Sequence, residues 1–167
     1  MKTYYYKACF IFLWFTVLSC IVSCSKEDSL EDIEKLESLS VSEEILELLN
    51  VHRASIGEDP LAKNDLATQL AEEHTRYMIA QNDISHDNFN ERSDRLFNEE
   101  NATRTGENVA YGQQSAKYVM EAWINSSSHR TNIEGDFTHI GIAAIKNSSG
   151  VYYFTQIFLK KKTETNI

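Results

Sequence analysis

No cysteine occurs after residue 24 of this 167-residue chain, because all three cysteines, Cys9, Cys20 and Cys24, lie near the N-terminus. The rest of the chain therefore cannot form an internal disulfide, and its core must hold without crosslinks. Proline occurs once, at Pro60, and glycine only six times. This composition excludes a Pro-rich or Gly-rich linker, and 167 residues are enough for one ordinary domain with a terminal extension.

Basic residues are also scarce, with 16 Lys and Arg against 25 Asp and Glu and a net charge of −9. Removal of residues 1–23, which contain Lys2 and Lys7 but no acid, would leave 14 basic against 25 acidic residues, a net charge of −11. Nucleic acids and anionic lipid surfaces are bound through clustered lysines and arginines. The one basic cluster, Lys160–Lys162, is more simply a solubilising tail. We therefore expect no nucleic-acid partner.

The N-terminus has the layout of a secretory signal. Lys2 and Lys7 precede an apolar run over residues 8–22, which is short for a membrane span and has no basic cluster after it. We predict a signal peptide over residues 1–23 and an exported protein, with an uncleaved signal anchor as the alternative.

Two short segments in this region resemble the lipobox of bacterial lipoproteins, in which an apolar and small-residue run ends in the lipid-bearing cysteine. They end at Cys20 and Cys24, and we favour Cys24 as the lipidated residue. The residues Ser25–Asp28 resemble a signal that directs some lipoproteins to the outer face of the outer membrane, although a plain solvated linker explains them equally well. We expect a lipid anchor in the outer membrane, with the domain exposed at the surface as a further expectation.

Beyond the leader, we divide the chain into a tether at residues 24–40, one domain at 41–160 and a polar tail at 161–167. Ser40 and Glu43 form a capping-box pattern at the start of the first helix. Apolar periodicity predicts further helices from residue 64 or 65 to about 81, over 90–97 and over 115–125, followed by a short turn that ends near Ile133.

The C-terminal part of the domain has β-prone runs at residues 140–145 and 151–158, separated by a polar loop that ends in Gly150. They predict a β-hairpin. Residues 106–112 read as a glycine-bounded turn or a short strand. Because the second strand of the hairpin is apolar on both faces, helices should cover each side. The predicted fold class is α+β, a three-layer α-β-α sandwich with a small central antiparallel sheet.

Polar residues with useful chemistry cluster at the ends of three predicted elements. Two imidazoles, His86 and His129, and one carboxylate, Glu107, would form a sound ligand set for Zn²⁺ or another divalent cation, with a fourth position left for water. No HExxH or CxxC motif supports this set, so their proximity depends on the fold. His52 and His74 lie on apolar helix faces and are more simply core histidines.

An ordered series of short motifs resembles the CAP superfamily, in its bacterial branch, which includes the SCP-like, cysteine-rich secretory, antigen and pathogenesis-related proteins. The motifs are Leu49-Asn50-x-x-Arg53, Pro60-Leu61, Ala71-x-x-His74-x-x-x-Met78, Ser85-His86, Gly106-Glu107-Asn108, Trp123-x-x-Ser126-x-x-His129-Arg130, Ile140-Gly141-Ile142 and Tyr153-x-Thr155-Gln156-x-Phe158.

The resemblance implies an α-β-α sandwich, an extracellular setting and a cleft lined by two histidines and two acids that can hold a metal. His86, Glu107 and His129 match three of those four positions, whereas the fourth is Ser126 instead of an acid. With Asn108 and Ser128, Ser126 would line the rest of the ligand cleft.

Several functions remain open from the sequence. The leading hypothesis is an envelope-anchored module that binds a metal ion, a small ligand or a surface partner through the cleft of His86, Glu107 and His129. The first alternative is a secreted metal-dependent hydrolase of peptidase type, in which a metal-bound water attacks and Glu107 is a ligand or base. The second is a carrier of lipids or sterols. A serine nucleophile at residues 126–128 is disfavoured because no G-x-S-x-G elbow is present, so no catalytic residue is assigned.

Overall fold

The computed structural model describes residues 40–162, so the predicted signal peptide, Cys20, Cys24, the tether up to residue 39 and the last five residues lie outside the described part. Its helices and strands alternate along the chain in the following order. They are α1 (Val41–Ser55), β1 (Ala62–Lys63), α2 (Asp65–Gln81), α3 (Phe89–Glu99), β2 (Ala102–Tyr111), α4 (Ala116–Asn125), α5 (Ser127–Ile133), β3 (His139–Lys146) and β4 (Tyr152–Lys161). Within residues 40–162, every helix is too short or too polar to cross a bilayer.

The helix starts follow the capping residues of the sequence. At α1, the Ser40 hydroxyl accepts a hydrogen bond from the Glu43 amide while the Glu43 carboxylate accepts one from the Ser40 amide, which confirms the predicted capping box. At α2, the Asn64 side chain accepts a hydrogen bond from the Ala67 amide. Helix α4 begins after Ser115, whose hydroxyl accepts a hydrogen bond from the Tyr118 amide.

The four strands form one sheet in the order β1-β3-β4-β2. The predicted hairpin is β3 with β4, which pair in antiparallel from His139 opposite Leu159 to Lys146 opposite Tyr152. The two-residue strand β1 adds a short parallel edge beside β3.

Strand β2 is longer than the sequence suggested. It runs over ten residues, and most of them pair with β4 in antiparallel, where the prediction had only a turn or short strand at residues 106–112. Its composition is largely polar, so local propensity alone is weak. Pairing along the whole of the apolar strand β4 is what extends it.

Side-chain alternation on the strands divides the core into two layers. Ile140 and Ile142 of β3 pack with α1, α4 and α5, whereas Ala143 of the same strand packs with α2 and α3. Strand β4 alternates in the same way, with Phe158 on the first face and Ile157 on the second. Helices therefore cover both faces of the sheet, which confirms the three-layer α-β-α sandwich.

The end of β4 corrects the predicted tail. Lys160 and Lys161 belong to this strand, and both are ion-paired. The Lys161 ammonium lies 2.7 Å from the Glu100 carboxylate, and the Lys160 ammonium pairs with Asp136. Two lysines of the supposed solubilising tail thus join the last strand to neighbouring elements, because strand pairing continues past the apolar run that the sequence displays.

Candidate functional site

The three predicted site residues come from three different elements around strand β2. His86 lies in the loop between α2 and α3, Glu107 lies in the middle of β2, and His129 lies in the first turn of α5. The loop that carries His86 is bounded by Asn82 and Asn88, both with left-handed backbone at φ 53° and 58°. Asparagine tolerates this conformation better than other residues with a side chain, so α2 can end and α3 begin within a few residues.

Glu107 is the buried centre of the site, with its side chain only 1% exposed. Its Oε1 accepts hydrogen bonds from His86 Nδ1 at 2.8 Å and Arg92 Nη2 at 2.9 Å. Its Oε2 accepts one from Arg92 Nε at 2.8 Å. The carboxylate thus faces a forked guanidinium on one side and an imidazole on the other, the geometry of a strong charge-assisted pair.

His86 links this buried carboxylate to the surface. An ionised carboxylate only accepts hydrogen bonds, so Nδ1 of His86 must carry the proton and Nε2 has the free lone pair in the neutral ring. The side chain is 55% exposed, and Nε2 has no hydrogen-bond partner within residues 40–162. The ring can therefore present one nitrogen to a ligand while the other stays fixed.

His129 is the second imidazole of the site. In the described part of the chain the His129 ring makes no hydrogen bond. Its two nitrogens are not among the fully buried polar atoms that lack a partner there, so both nitrogens reach solvent. Burial lowers the pKa of His129, and the nearby His86 lowers it further. The ring is thus neutral near pH 7, and the two histidines interact electrostatically.

Arg92 is the functional neighbour that the sequence analysis missed. Besides its two hydrogen bonds to Glu107, Arg92 donates one from Nη1 to the Asp87 carbonyl at 2.7 Å. On α3 the buried positions are Arg92, Ser93 and Leu96. Their spacing forms one inward helix face, so a periodicity analysis of α3 that includes polar residues would have placed this arginine inside.

His74 is hydrogen-bonded to the loop that carries His86. Its Nε2 lies 2.7 Å from the Ser85 carbonyl and 3.9 Å from Glu107 Oε1. Burial lowers the pKa of His74, and the charge of Glu107 offsets only part of that effect. A neutral ring that donates to Ser85 fits this environment, and the prediction of a hydrogen-bonded core histidine is confirmed.

Asn108 does not line a cleft, which corrects its predicted role. The residue is 0% exposed, and its amide donates to the His129 carbonyl and to Gln156 Oε1, both at 3.1 Å. Its Oδ1 accepts a hydrogen bond from Asn132, which also donates to the Glu107 carbonyl. Consecutive strand residues point to opposite faces, so Asn108 faces α5 while Glu107 faces α3. Asn108 joins the elements that carry Glu107 and His129.

Ser126 and Ser128 flank the start of α5. Their hydroxyls lie 3.1 Å apart, and the Ser126 side chain makes no capping hydrogen bond. Within residues 40–162, neither hydroxyl is hydrogen-bonded to His129, so the geometry that an activated serine needs is not found there.

The predicted metal ligands do not fit a metal as they are arranged. Both Glu107 oxygens already accept hydrogen bonds from protein donors, and the fourth position of the set is the neutral Ser126. Among the described residues, no three His, Cys, Asp or Glu side chains converge on a position that could hold an ion. The prediction of Zn²⁺ or another divalent cation has no further support here and stays a prediction.

Sequence comparisons relate most of the chain to one family. The model of the cysteine-rich secretory protein family matches residues 46–158. The uncharacterized protein YkwD of Bacillus subtilis is 31% identical over 121 residues, which cover 70% of this chain and 46% of that protein. The uncharacterized membrane protein YlbC of the same species is 31% identical over 137 residues, 78% of this chain and 37% of that protein. The chain thus spans less than half the length of these curated relatives.

Solved structures show the same fold. An outer surface protein from Borrelia burgdorferi matches with a TM-score of 0.64 at 23% identity, over 81% of this chain and 96% of that one. An extracellular protein from Bacillus anthracis that contains an SCP domain matches with a TM-score of 0.64 at 26% identity, over 72% of this chain and 40% of that one.

Proposed function

We propose, on the premise that this chain belongs to the cysteine-rich secretory protein family, that it is an extracytoplasmic binding module. Its ligand contacts are made by His86 and His129, with Ser126 and Ser128 at the rim. Glu107 acts from inside the protein and orients the His86 ring. The bound species is a small ligand or a surface partner, and a divalent cation is the third candidate.

One observation carries this proposal: the carboxylate is turned inward while the imidazoles are turned outward. The two Glu107 oxygens are occupied by Arg92 and His86, whereas Nε2 of His86 and both nitrogens of His129 have no partner within residues 40–162. In a neutral imidazole the unprotonated nitrogen accepts a hydrogen bond from an O–H or N–H group and the N–H nitrogen donates one, whereas both nitrogens donate in the protonated ring. The site is therefore equipped to bind a polar ligand.

Neither alternative function gains support from the geometry. A hydrolase would need Glu107 as a base or metal ligand, yet its side chain is almost completely enclosed and already paired. A lipid carrier would need a large apolar cavity. Among the described residues, cavities of about 180 Å³ beside α1, about 300 Å³ between α2 and α3 and about 350 Å³ beside the β3–β4 turn are found. The two larger ones are lined by charged and polar side chains, such as Arg92 in the first and Lys146 in the second, whereas lipid pockets are lined mainly by apolar ones.

The test follows the histidine ring signals by ¹⁵N NMR of the purified chain in detergent micelles. Three probes represent the three candidate chemistries: Zn²⁺, inorganic phosphate and N-acetylglucosamine. Cys9, Cys20 and Cys24 are replaced by serine, because free thiolates would bind the zinc. We expect at least one probe to shift the rings of His86 and His129 together, with saturation.

Matched variants decide whether the shift reports the proposed site. His86→Ala and His129→Ala should each abolish the joint response. His139→Ala should leave it unchanged, because His139 lies at the start of β3 and its ring bonds the Thr138 hydroxyl. The proposal is wrong if no probe shifts both rings, or if the response persists after removal of either histidine.

We also propose that the chain is exported and anchored by lipid at Cys24, with Cys20 as the alternative. The extracellular description of the Bacillus anthracis relative supports export. The test is metabolic labelling of cells with an alkyne fatty acid. Cys24→Ser should abolish label on this protein and Cys20→Ser should not; the reverse result would assign Cys20. If the parent chain and both variants stay unlabelled and keep the leader, the N-terminal segment is a signal anchor.

A further inference from the structure

Arg92 is the cation that pairs with the buried carboxylate of Glu107. We propose that this arginine replaces a metal ion as the fixed counter-charge of the site, so that His86 and the loop around it are held in place without any metal. Arg92 is thus a positioning residue, which acts on the ligand-facing ring through Glu107.

The burial of the pair makes this assignment necessary. The Glu107 side chain is 1% exposed and the Arg92 side chain 9%. A carboxylate this deeply buried needs an opposite charge close by, and its closest one is the guanidinium, whose Nη2 lies 2.7 Å from Oε2. A metal that captured Glu107 would have to displace Arg92, which would then be left as an unpaired buried cation.

Arg92 also fixes the backbone beside His86. Its Nη1 donates to the Asp87 carbonyl, and the Asp87 carboxylate accepts a hydrogen bond from the Tyr77 hydroxyl at 3.0 Å. The Phe89 amide donates to the His86 carbonyl at 3.1 Å, which closes the turn into α3. One guanidinium therefore joins the Glu107 carboxylate, the loop that carries His86 and the first turn of α3. In a metal site, a coordinated ion would hold such groups together.

The inference predicts a gain of function. Replacement of Arg92 by methionine, which has a similar stem and no charge, should leave Glu107 without a counter-charge, so that its carboxylate can take up a cation together with the adjoining His86. In the background without cysteine, isothermal titration of Arg92→Met with Zn²⁺ should show a site at least tenfold tighter than in the parent. Adding Glu107→Gln should remove that gain.

The matched control is Arg95→Met, one turn along the same helix. Arg95 is exposed, and its Nε donates to Glu99 at 3.0 Å, so its loss should leave zinc affinity at the parent level. Arg92→Lys keeps a cation beside the carboxylate and should also show no gain. The inference is overturned if Arg92→Met binds zinc no more tightly than the parent, or if the gain survives Glu107→Gln or appears in Arg95→Met.

A second measurement needs no change at Arg92, in case the methionine variant does not fold. The Nε proton of an arginine held by a carboxylate gives a protected, downfield NMR signal, and in the parent chain this signal should persist in excess Zn²⁺. Its loss would mean that zinc takes Glu107 from Arg92, and the inference would fail. Such a result would leave the proposed function standing, because the joint response of His86 and His129 is measured separately.

Discussion

Replacement of Asn108 by alanine tests the internal network that joins β2 to α5. The Asn108 amide is fully buried and makes three hydrogen bonds, to the His129 carbonyl, to Gln156 Oε1 and from Asn132. No water can replace these partners without entering a packed region. The variant should therefore fold less stably and hold the backbone of His129 less firmly.

The expected cost can be worked out from the groups left behind. Gln156 is 0% exposed and its Oε1 loses its donor, which costs about 1–3 kcal/mol for a buried unsatisfied acceptor. Asn132 keeps its bond to the Glu107 carbonyl, so its loss is nearer the net value of one hydrogen bond, about 1 kcal/mol. The His129 carbonyl also loses its donor, at about 1 kcal/mol, so the sum is about 3–5 kcal/mol of unfolding free energy.

Urea unfolding followed by circular dichroism measures this cost, with the slope m compared between proteins to check that the unfolded states match. The matched control is Asn90→Ala, an exposed asparagine on α3, which should change stability by less than about 0.5 kcal/mol. If Asn108→Ala costs no more than this control, the buried network does not hold α5 to the sheet and the reasoning is refuted.

Three further predictions concern packing, pH and helix capping. At Gly141 a Cβ would lie 2.0 Å from the backbone of Ala67, so Gly141→Ala should push α2 off the sheet and cost about 3 kcal/mol or more in urea unfolding; an unchanged midpoint would contradict this close approach. Because burial depresses the pKa of His74 below its ordinary value of 6.5, the unfolded chain binds the proton first. The contribution of His74 is thus fully present above pH 6.5 and is lost as pH falls, by at most about 1.4 kcal/mol per pH unit. His74→Gln, whose amide can still donate to the Ser85 carbonyl, should flatten the dependence of unfolding free energy on pH between 6.5 and 5, and an equally steep dependence would exclude His74 as its source. Ser40→Ala removes the hydroxyl that accepts a hydrogen bond from the Glu43 amide and donates one to the Glu43 carboxylate, and it should cost about 1 kcal/mol of thermal or urea stability, which Ser42→Ala should not.

Helices were easier to predict than the first long strand, for a physical reason. In α1 and α2, capping side chains and a 3.6-residue apolar spacing are local signals that the folded protein keeps. Strand β2 has no comparable local signal, because its stability comes from residues about 50 positions away in β4. The short apolar hairpin of β3 and β4 was visible because both of its strands carry their own β-prone composition.

The site shows the same division between local and distant information. The residue types of His86, Glu107 and His129 were identifiable from motif order, but the partner that pairs with Glu107 was not. Arg92 precedes that carboxylate by 15 positions on a different element, and its role depends on how α3 packs on β2. The predicted role of Asn108 was wrong because residues 106–112 were predicted to be a turn or a short strand, and the alternation of a strand, which turns Asn108 away from Glu107, was not applied.

The position of the site on an edge strand explains why two layers contribute to it. Strand β2 ends the sheet, and its carbonyls at Glu107 and Val109 accept hydrogen bonds from the side chains of Asn132 and Trp123. These bonds cover the edge that would otherwise pair with another strand. His86 approaches this edge from the α2–α3 layer, and His129 approaches it from the layer of α4 and α5.

A ligand that contacts both imidazoles would therefore connect the two helical layers across the edge of the sheet. Such a ligand binds the folded chain and not the unfolded one, so at a concentration about 100 times its Kd it would add about 2.7 kcal/mol to the free energy of unfolding. A ligand of His86 alone would leave the attachment of α5 unchanged. Protection of α5 amides from hydrogen exchange on ligand binding therefore distinguishes a shared site from two independent histidines, because only a shared site makes the opening of α5 break a ligand contact.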